Sequence, residues 1–176
     1  AVRMPQAAAL TAGNSTWTYG ELSAATQAAA SGLAALDLQR TGRVGIWLNK
    51  RFETVIASFA APAAGGVMVP MNPLLKPEQV VYIARDCNVR ILVTSADRLK
   101  GLAAALADCP DLRAIAVVGD ATAAPAVAGT AAVAWDDVTA RAGSRTAHRV
   151  IDVDMTAILY TSGTTGKPKG VQHSTG

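Results

Sequence analysis

Short apolar runs alternate with helix-forming segments through the middle of this chain, and that alternation leaves few folds open. Residues 43–48 read RVGIWL, 67–73 VMVPMNP, 90–94 RILVT and 113–119 RAIAVVG. Each is apolar on both of its faces, as strands covered from two sides are. Between them lie segments with helical spacing. Phe52, Val55, Ile56 and Phe59 share one face of 52–64, which Pro62 and the pair Gly65 and Gly66 bring to an end. Segment 76–88 carries Val80, Val81, Ile83 and Ala84, with Pro77 suited to a first helical turn. Ser95 is placed to cap a helix over 96–107, and Pro110 breaks the chain after it. Strand, helix and strand in repetition predict an α/β fold: a layered, mostly parallel sheet flanked by helices on both faces.

The flanking segments are less regular. In WTYGEL, Thr18 and Glu21 stand in capping-box relation, so a helix starts there and runs to about Leu36 on Leu22, Ala25, Ala29 and Leu33. Residues 120–134 reduce to Ala, Thr, Gly, Val and one Pro, and read as a long Ala-rich surface loop. Residues 135–141 suit a short helix with Asp136 and Asp137 at its favourable end. Adjacent helix positions diverge, so capping and solvation outweigh a metal reading of that pair. Asp152 and Asp154 share a side of an extended segment. A metal site is open to them, against the commoner role of capping a neighbouring turn. Residues 155–160 then form a strand.

Composition removes several function classes. Apolar residues make up 51% of 176 positions and charged ones 16%, which is a globular chain of a length for one core and one domain. A net charge of +3, with bases dispersed among acids, speaks against a nucleic-acid surface. There is no apolar run of roughly 18 residues and no signal-peptide pattern at the start, so a cytoplasmic location is expected. Cys87 and Cys109 lack metal-ligand spacing and read as reduced thiols. His148 and His173 belong to no visible triad or zinc pattern.

The chemistry concentrates in TSGTTGKPKG, residues 161–170. Thr161, Ser162, Thr164 and Thr165 supply hydroxyls, Gly163, Gly166 and Gly170 permit close backbone approach, and Lys167 and Lys169 supply positive charge, with no acid among them. Such a run is built to meet an anion: glycines let successive N–H groups converge on it, and the side chains add donors. A Walker A loop is excluded by spacing, since only two residues separate Gly163 from Gly166 and Pro168 follows Lys167.

The order TSGTTGKPKG after MTAILY resembles the phosphate-binding signature of the adenylate-forming superfamily: acyl-CoA synthetases, adenylation domains of peptide synthetases, and luciferases. TYGEL and VPMNP also resemble superfamily segments. The resemblance covers about residues 16–171 and implies that the loop embraces the β- and γ-phosphates of ATP while a carboxylate attacks the α-phosphate. Thr161, Ser162, Thr164 and Thr165 would then be hydroxyl donors, Gly163, Gly166 and Gly170 close-approach positions, and Lys167 and Lys169 the local charge, with Pro168 stiffening the exit. ATP and CoA are the implied co-substrates, with a small-molecule carboxylic acid as the third.

Residues 72–99 look like acyl-CoA ligases associated with exosortase gene clusters, whereas GVQHSTG looks more like acetyl- and propionyl-CoA synthetases. The acyl chain therefore stays unassigned. The superfamily's adenine pocket, Mg²⁺-binding acid, ribose-binding Asp and mobile C-terminal domain with its Lys have no counterpart in these residues. The chain is accordingly expected to be a single partial domain over 1–176, the N-terminal portion of an AMP-forming acyl-CoA ligase, inactive alone and prone to self-association. The alternative is a non-catalytic module, derived from such an enzyme, that binds a phosphate ligand or a protein.

Overall fold

The computed structural model describes residues 3–141, 150–161 and 168–174. A hairpin of β1 (Ala8–Ala12) and β2 (Ser15–Thr18) leads into α1 (Tyr19–Ala35), followed by β3 (Arg43–Trp47), α2 (Phe52–Ala63) and β4 (Val67–Pro70). Then come α3 (Pro77–Asp86), β5 (Val89–Ser95), the short helices α4 (Ala96–Lys100) and α5 (Ala103–Leu106), and β6 (Ala114–Val118). A 3-10 turn at Ala121–Ala123, β7 (Ala131–Ala134), α6 (Trp135–Ala140), β8 (Met155–Thr161) and β9 (Lys169–Ser174) complete the described chain. The main sheet has seven strands in the order β7-β6-β5-β3-β4-β8-β9. Its pairs are parallel except β8 with β9.

That order explains the two cores. From β3 the chain moves through α2 to β4 on one side, then crosses back through α3 to β5 on the other. Crossovers of one hand that run in opposite directions put their helices on opposite faces of the sheet. Ile115 and Val117 of β6 accordingly pack with Val80, Ile83, Leu99, Leu102 and Leu106 from α3 to α5. Ala114, Ala116 and Val118, the alternate residues, pack with Leu33, Ile56, Ala60 and Val138 from α1, α2 and α6. Strands buried on both faces need this uninterrupted apolar composition, and each fully buried Leu, Ile or Val contributes roughly 1.5–3 kcal/mol.

The capping box forms as expected. The Thr18 N–H donates to Glu21 Oε2 at 2.7 Å and the Glu21 N–H to Thr18 Oγ1 at 3.2 Å. The Thr18 N–H first, and then the Thr18 hydroxyl, which donates to Glu21 Oε2 at 2.9 Å, hold the Glu21 carboxyl below its ordinary range. Both cysteines are buried and free.

Three features depart from the sequence reading. Residues 120–134 are not one loop, because their last four form β7, which extends the sheet in register from Ala114↔Ala131 to Val117↔Ala134. The open edge of β6 recruits a strand of weak propensity, and alanine-rich sequence conceals that pairing. The helix expected over 96–107 breaks in two, with Gly101 and Leu102 closing tight turns onto Arg98 and Leu99. Glycine is a poor interior residue for a helix, and the break falls on it. The β1–β2 hairpin had one legible signal, the Gly13–Asn14 turn, where Gly13 takes φ +59°.

Asp154 proves to be a cap and a tether. It accepts the Ile151 N–H at 2.9 Å and pairs with Arg40 at 2.5 Å, and these two partners, in that order, hold its carboxyl below the usual range. Among the described residues no three His, Cys, Asp or Glu side chains are grouped to hold a metal ion.

β9 closes one end of the sheet with all six residues exposed, and Leu159, Val171 and Phe59 expose 36%, 44% and 56% of their surface. A strand with one open edge beside exposed apolar side chains is a template for association. The isolated chain is therefore expected to form oligomers whose mass rises with concentration in light scattering. A monodisperse monomer that binds no apolar dye is the contrary result.

Candidate functional site

The ends of the run 161–170 belong to the β8–β9 hairpin. Its ladder runs from Met155↔Ser174 to Thr161↔Lys169, with Tyr160 opposite Gly170. Lys169 and Gly170 are therefore strand residues, where the sequence reading placed them in the loop. Thr161 and Lys169 face each other across the last pair, so the ends of the connection are held at roughly 4.5–5.5 Å between Cα atoms. Ser162, Gly163, Thr164, Thr165, Gly166 and Lys167 lie outside the described residues. Thr161 and Lys169 are exposed. Directly opposed residues share a face, so the Thr161 hydroxyl and the Lys169 ammonium stand on one side of the hairpin.

The other side is packed. Ile158, Tyr160, Gly170 and Gln172 line a cleft of about 230 Å³ together with Arg43, Asp86, Cys87 and Met155. A Cβ on Gly170 would sit 2.9 Å from Ile158 Cγ2 and 3.2 Å from Tyr160 Cζ. The glycine leaves room for the Tyr160 ring, and this is a structural reason for it apart from any ligand. The Tyr160 hydroxyl donates to Asp86 Oδ2 at 2.5 Å. Burial first, and the Asp86 acceptor next, push the Tyr160 phenol well above its ordinary range, so it stays a neutral donor. Burial also pushes the Cys87 thiol up to about 11, and Cys87 donates to the Ile83 carbonyl at 3.1 Å. A thiol in that state is no nucleophile at neutral pH.

Thr161 ends β8 on the rim where the parallel strands also end. Ligands of open α/β sheets collect at that rim. There Arg98 lies 4.5 Å over the Trp47 ring and donates to the Pro73 carbonyl at 3.0 Å and to Asn49 Oδ1 at 2.6 Å. Trp47 Nε1 donates to the Asn72 carbonyl at 3.2 Å, and the Thr94 hydroxyl to the Trp47 carbonyl at 3.0 Å. These groups knit the loops after β3, β4 and β5 into one rigid edge. Sequence reasoning missed Arg98 and Trp47, because nothing in their spacing marks a contact between side chains 51 positions apart; only the Asn72–Pro73 turn was legible.

A mostly parallel sheet flanked by helices, with Thr161 and Lys169 on a hairpin at its carboxyl rim, defines a layered α/β domain. Residues 1–176 match the family model described as AMP-binding enzyme, and the chain belongs to that family. It is 35% identical over 156 residues to a 4-hydroxybenzoate–CoA/benzoate–CoA ligase of Rhodopseudomonas palustris, a match covering 89% of this chain and 28% of that protein. It is also 35% identical over 170 residues to an L-proline–[L-prolyl-carrier protein] ligase of Streptomyces coelicolor, covering 93% of this chain and 31% of that one. The crystal structure of the anthranilate CoA ligase AuaEII in complex with anthranoyl-AMP superposes with a TM-score of 0.84 at 26% identity, over 98% of this chain and 32% of that chain. The chain thus spans less than a third of the length of these relatives. No described helix is long and apolar enough to cross a membrane.

Proposed function

We propose that this chain is the N-terminal part of an AMP-forming acid–thiol ligase. The observation that carries the reading is the hairpin: a loop without an acid, its ends clamped by the Thr161↔Lys169 pair, set on the carboxyl rim of a sheet that matches the family. In this reading Thr161, Ser162, Thr164 and Thr165 donate to the β- and γ-phosphates of ATP, with Gly163, Gly166 and Gly170 admitting the backbone and Lys167 and Lys169 offsetting charge. A carboxylate oxygen forms a bond to the α-phosphorus while the bond to pyrophosphate breaks. The sulfur of CoA then bonds to the acyl carbon while the bond from that carbon to the AMP oxygen breaks, releasing AMP, and the thiol proton leaves to a base. Mg²⁺ would offset phosphate charge during this transfer. No described residue of this chain is proposed as its ligand.

Equal identity to a CoA ligase and to a carrier-protein ligase means that the acceptor is set by residues these matches do not single out. CoA is proposed on the broader resemblance to acyl-CoA synthetases. The test is pyrophosphate release by the longer protein carrying this chain, with ATP, with and without CoA, across short, medium, long and aromatic acids. Acid-dependent release with AMP formation is the expected result. No release with any acid, from a folded protein, would favour a non-catalytic module that binds a phosphate ligand or a protein.

A further inference from the structure

The β8–β9 hairpin lies close along β4, but its registered ladder there is short. Its register with β4 consists of the single pair Met68↔Ala157, whereas β3 and β4 share four pairs from Arg43↔Val67 to Ile46↔Pro70. Beyond Ala157 side chains add to that strand packing: Ile158 is buried in the core, and polar contacts lie nearer the hairpin's end. Two bonds from α3 reach it. Tyr160 donates to Asp86 Oδ2 at 2.5 Å, and the Tyr82 hydroxyl faces the Pro168 carbonyl at 3.5 Å, the limit of hydrogen-bond range. Tyr160 sits next to Thr161 and Pro168 next to Lys169, so each bond falls one residue from an end of the anion-binding run. The Tyr160 ring fills the space left by Gly170, which fixes the direction in which its hydroxyl points.

We propose that Asp86 and Tyr160 are positioning residues: their hydrogen bond pins the phosphate-loop hairpin to α3 and so sets where its donors meet the phosphates. The bond joins a partly buried phenol to an exposed carboxylate. Since the phenol's ionisation lies far above neutrality, the donor persists over the working range of pH. Tyr82 is a weaker, second contact, and its bond is too long to carry the pin alone. The part of this inference that concerns phosphates rests on the ligase reading; the pin itself does not.

Two measurements separate them. Hydrogen exchange on the 176-residue chain reads the pin directly. Tyr160→Phe and Asp86→Ala are expected to speed exchange of the β8 and β9 amides by on the order of tenfold, the scale of a hydrogen bond to a charged acceptor, with β3, β5 and β6 unchanged. Asp86→Asn, which keeps a carbonyl acceptor, should restore most of the protection. The double variant should be no worse than either single one, since both remove the same bond. Unchanged exchange in Tyr160→Phe, or additive effects, would overturn the pin.

The second measurement is steady-state kinetics of the longer ligase. KM for ATP is expected to rise roughly three- to tenfold in both variants, with KM for the carboxylic acid unchanged and recovery in Asp86→Asn. A merely stabilising contact would lower the melting temperature and leave that split absent. Faster exchange with an ATP KM within about twofold of the parent would overturn the phosphate role. If the parent releases no pyrophosphate at all, the ligase reading and the phosphate role fall together, and the exchange data still decide the pin.

Discussion

Gly32→Ala is expected to be strongly destabilising, more so than an added methyl at any other glycine whose described neighbours are known. A Cβ at Gly32 would lie 2.0 Å from the carbonyl oxygen of Val138 and 2.7 Å from its carbonyl carbon. The obstacle is backbone, on another helix, so no rotamer change relieves it. α1 and α6 would have to separate by more than an ångström, and α6 holds Trp135 and Val138, both buried in the core between the sheet and α1 and α2. Overpacking of a core commonly costs about 1–3 kcal/mol, and a clash with fixed backbone belongs at or above the top of that range. Against a total stability of roughly 5–15 kcal/mol for a whole domain, such a loss removes a large share of the margin. Gly101→Ala is the control. Its nearest neighbours would be 3.6 Å and 3.7 Å away and its backbone is right-handed helical, so the added methyl should be neutral or slightly stabilising. Urea denaturation of the two variants beside the parent gives the comparison, and an unchanged midpoint for Gly32→Ala would refute the packing argument.

Gly32 also shows where sequence reading stops. In SAATQAAASGL the glycine looks like one more small residue in a helix of alanines, and nothing nearby in sequence announces that Val138 crosses it. Local signals were legible because their physics is local. Thr18 and Glu21 cap one turn, Pro77 sits at a helix start, and RVGIW, VMVP, VRILVTS and AIAVV are buried strands whose composition follows from being covered twice. β7 was not legible, because AAVA becomes a strand only by tertiary pairing with β6. For the site, residue identities in 161–170 were readable and their support was not. The Tyr160–Asp86 bond joins positions 74 apart, and the stacking of Arg98 on Trp47 is equally non-local. The hairpin register that makes Lys169 and Gly170 strand residues depends on pairing that periodicity over a few residues does not reveal.

The 176-residue chain by itself is expected to release no pyrophosphate from ATP with any carboxylic acid, whereas the proposed longer ligase is expected to do so and to lose most of its rate on Lys169→Ala. The argument is one of magnitudes. Enzymes of ordinary power lower their barriers by at least roughly 8 kcal/mol. A single preorganised donor contributes about 2.7–4 kcal/mol, while holding two reactants in reacting geometry contributes roughly 7–11 kcal/mol. The described part of this chain offers Thr161 and Lys169 as donors at the hairpin mouth, and its buried Cys87 thiol and Tyr160 phenol stay protonated. It therefore supplies part of the electrostatic contribution. The relatives it matches are more than three times as long, and in the proposed ligase the added length is expected to supply the grip on both substrates. Without that positioning, the shortfall of several kcal/mol corresponds to a rate lower by several powers of ten. In the complete ligase, Lys169→Ala removes a charge that no described acid neutralises, and a loss on the order of a hundredfold in kcat/KM for ATP is expected, with Lys169→Arg retaining more of it than Ala. Pyrophosphate from the isolated chain above the level of its own Lys169→Ala variant would show that the loop and the sheet carrying it suffice for adenylation, and would reverse the assignment of positioning to the rest of the protein.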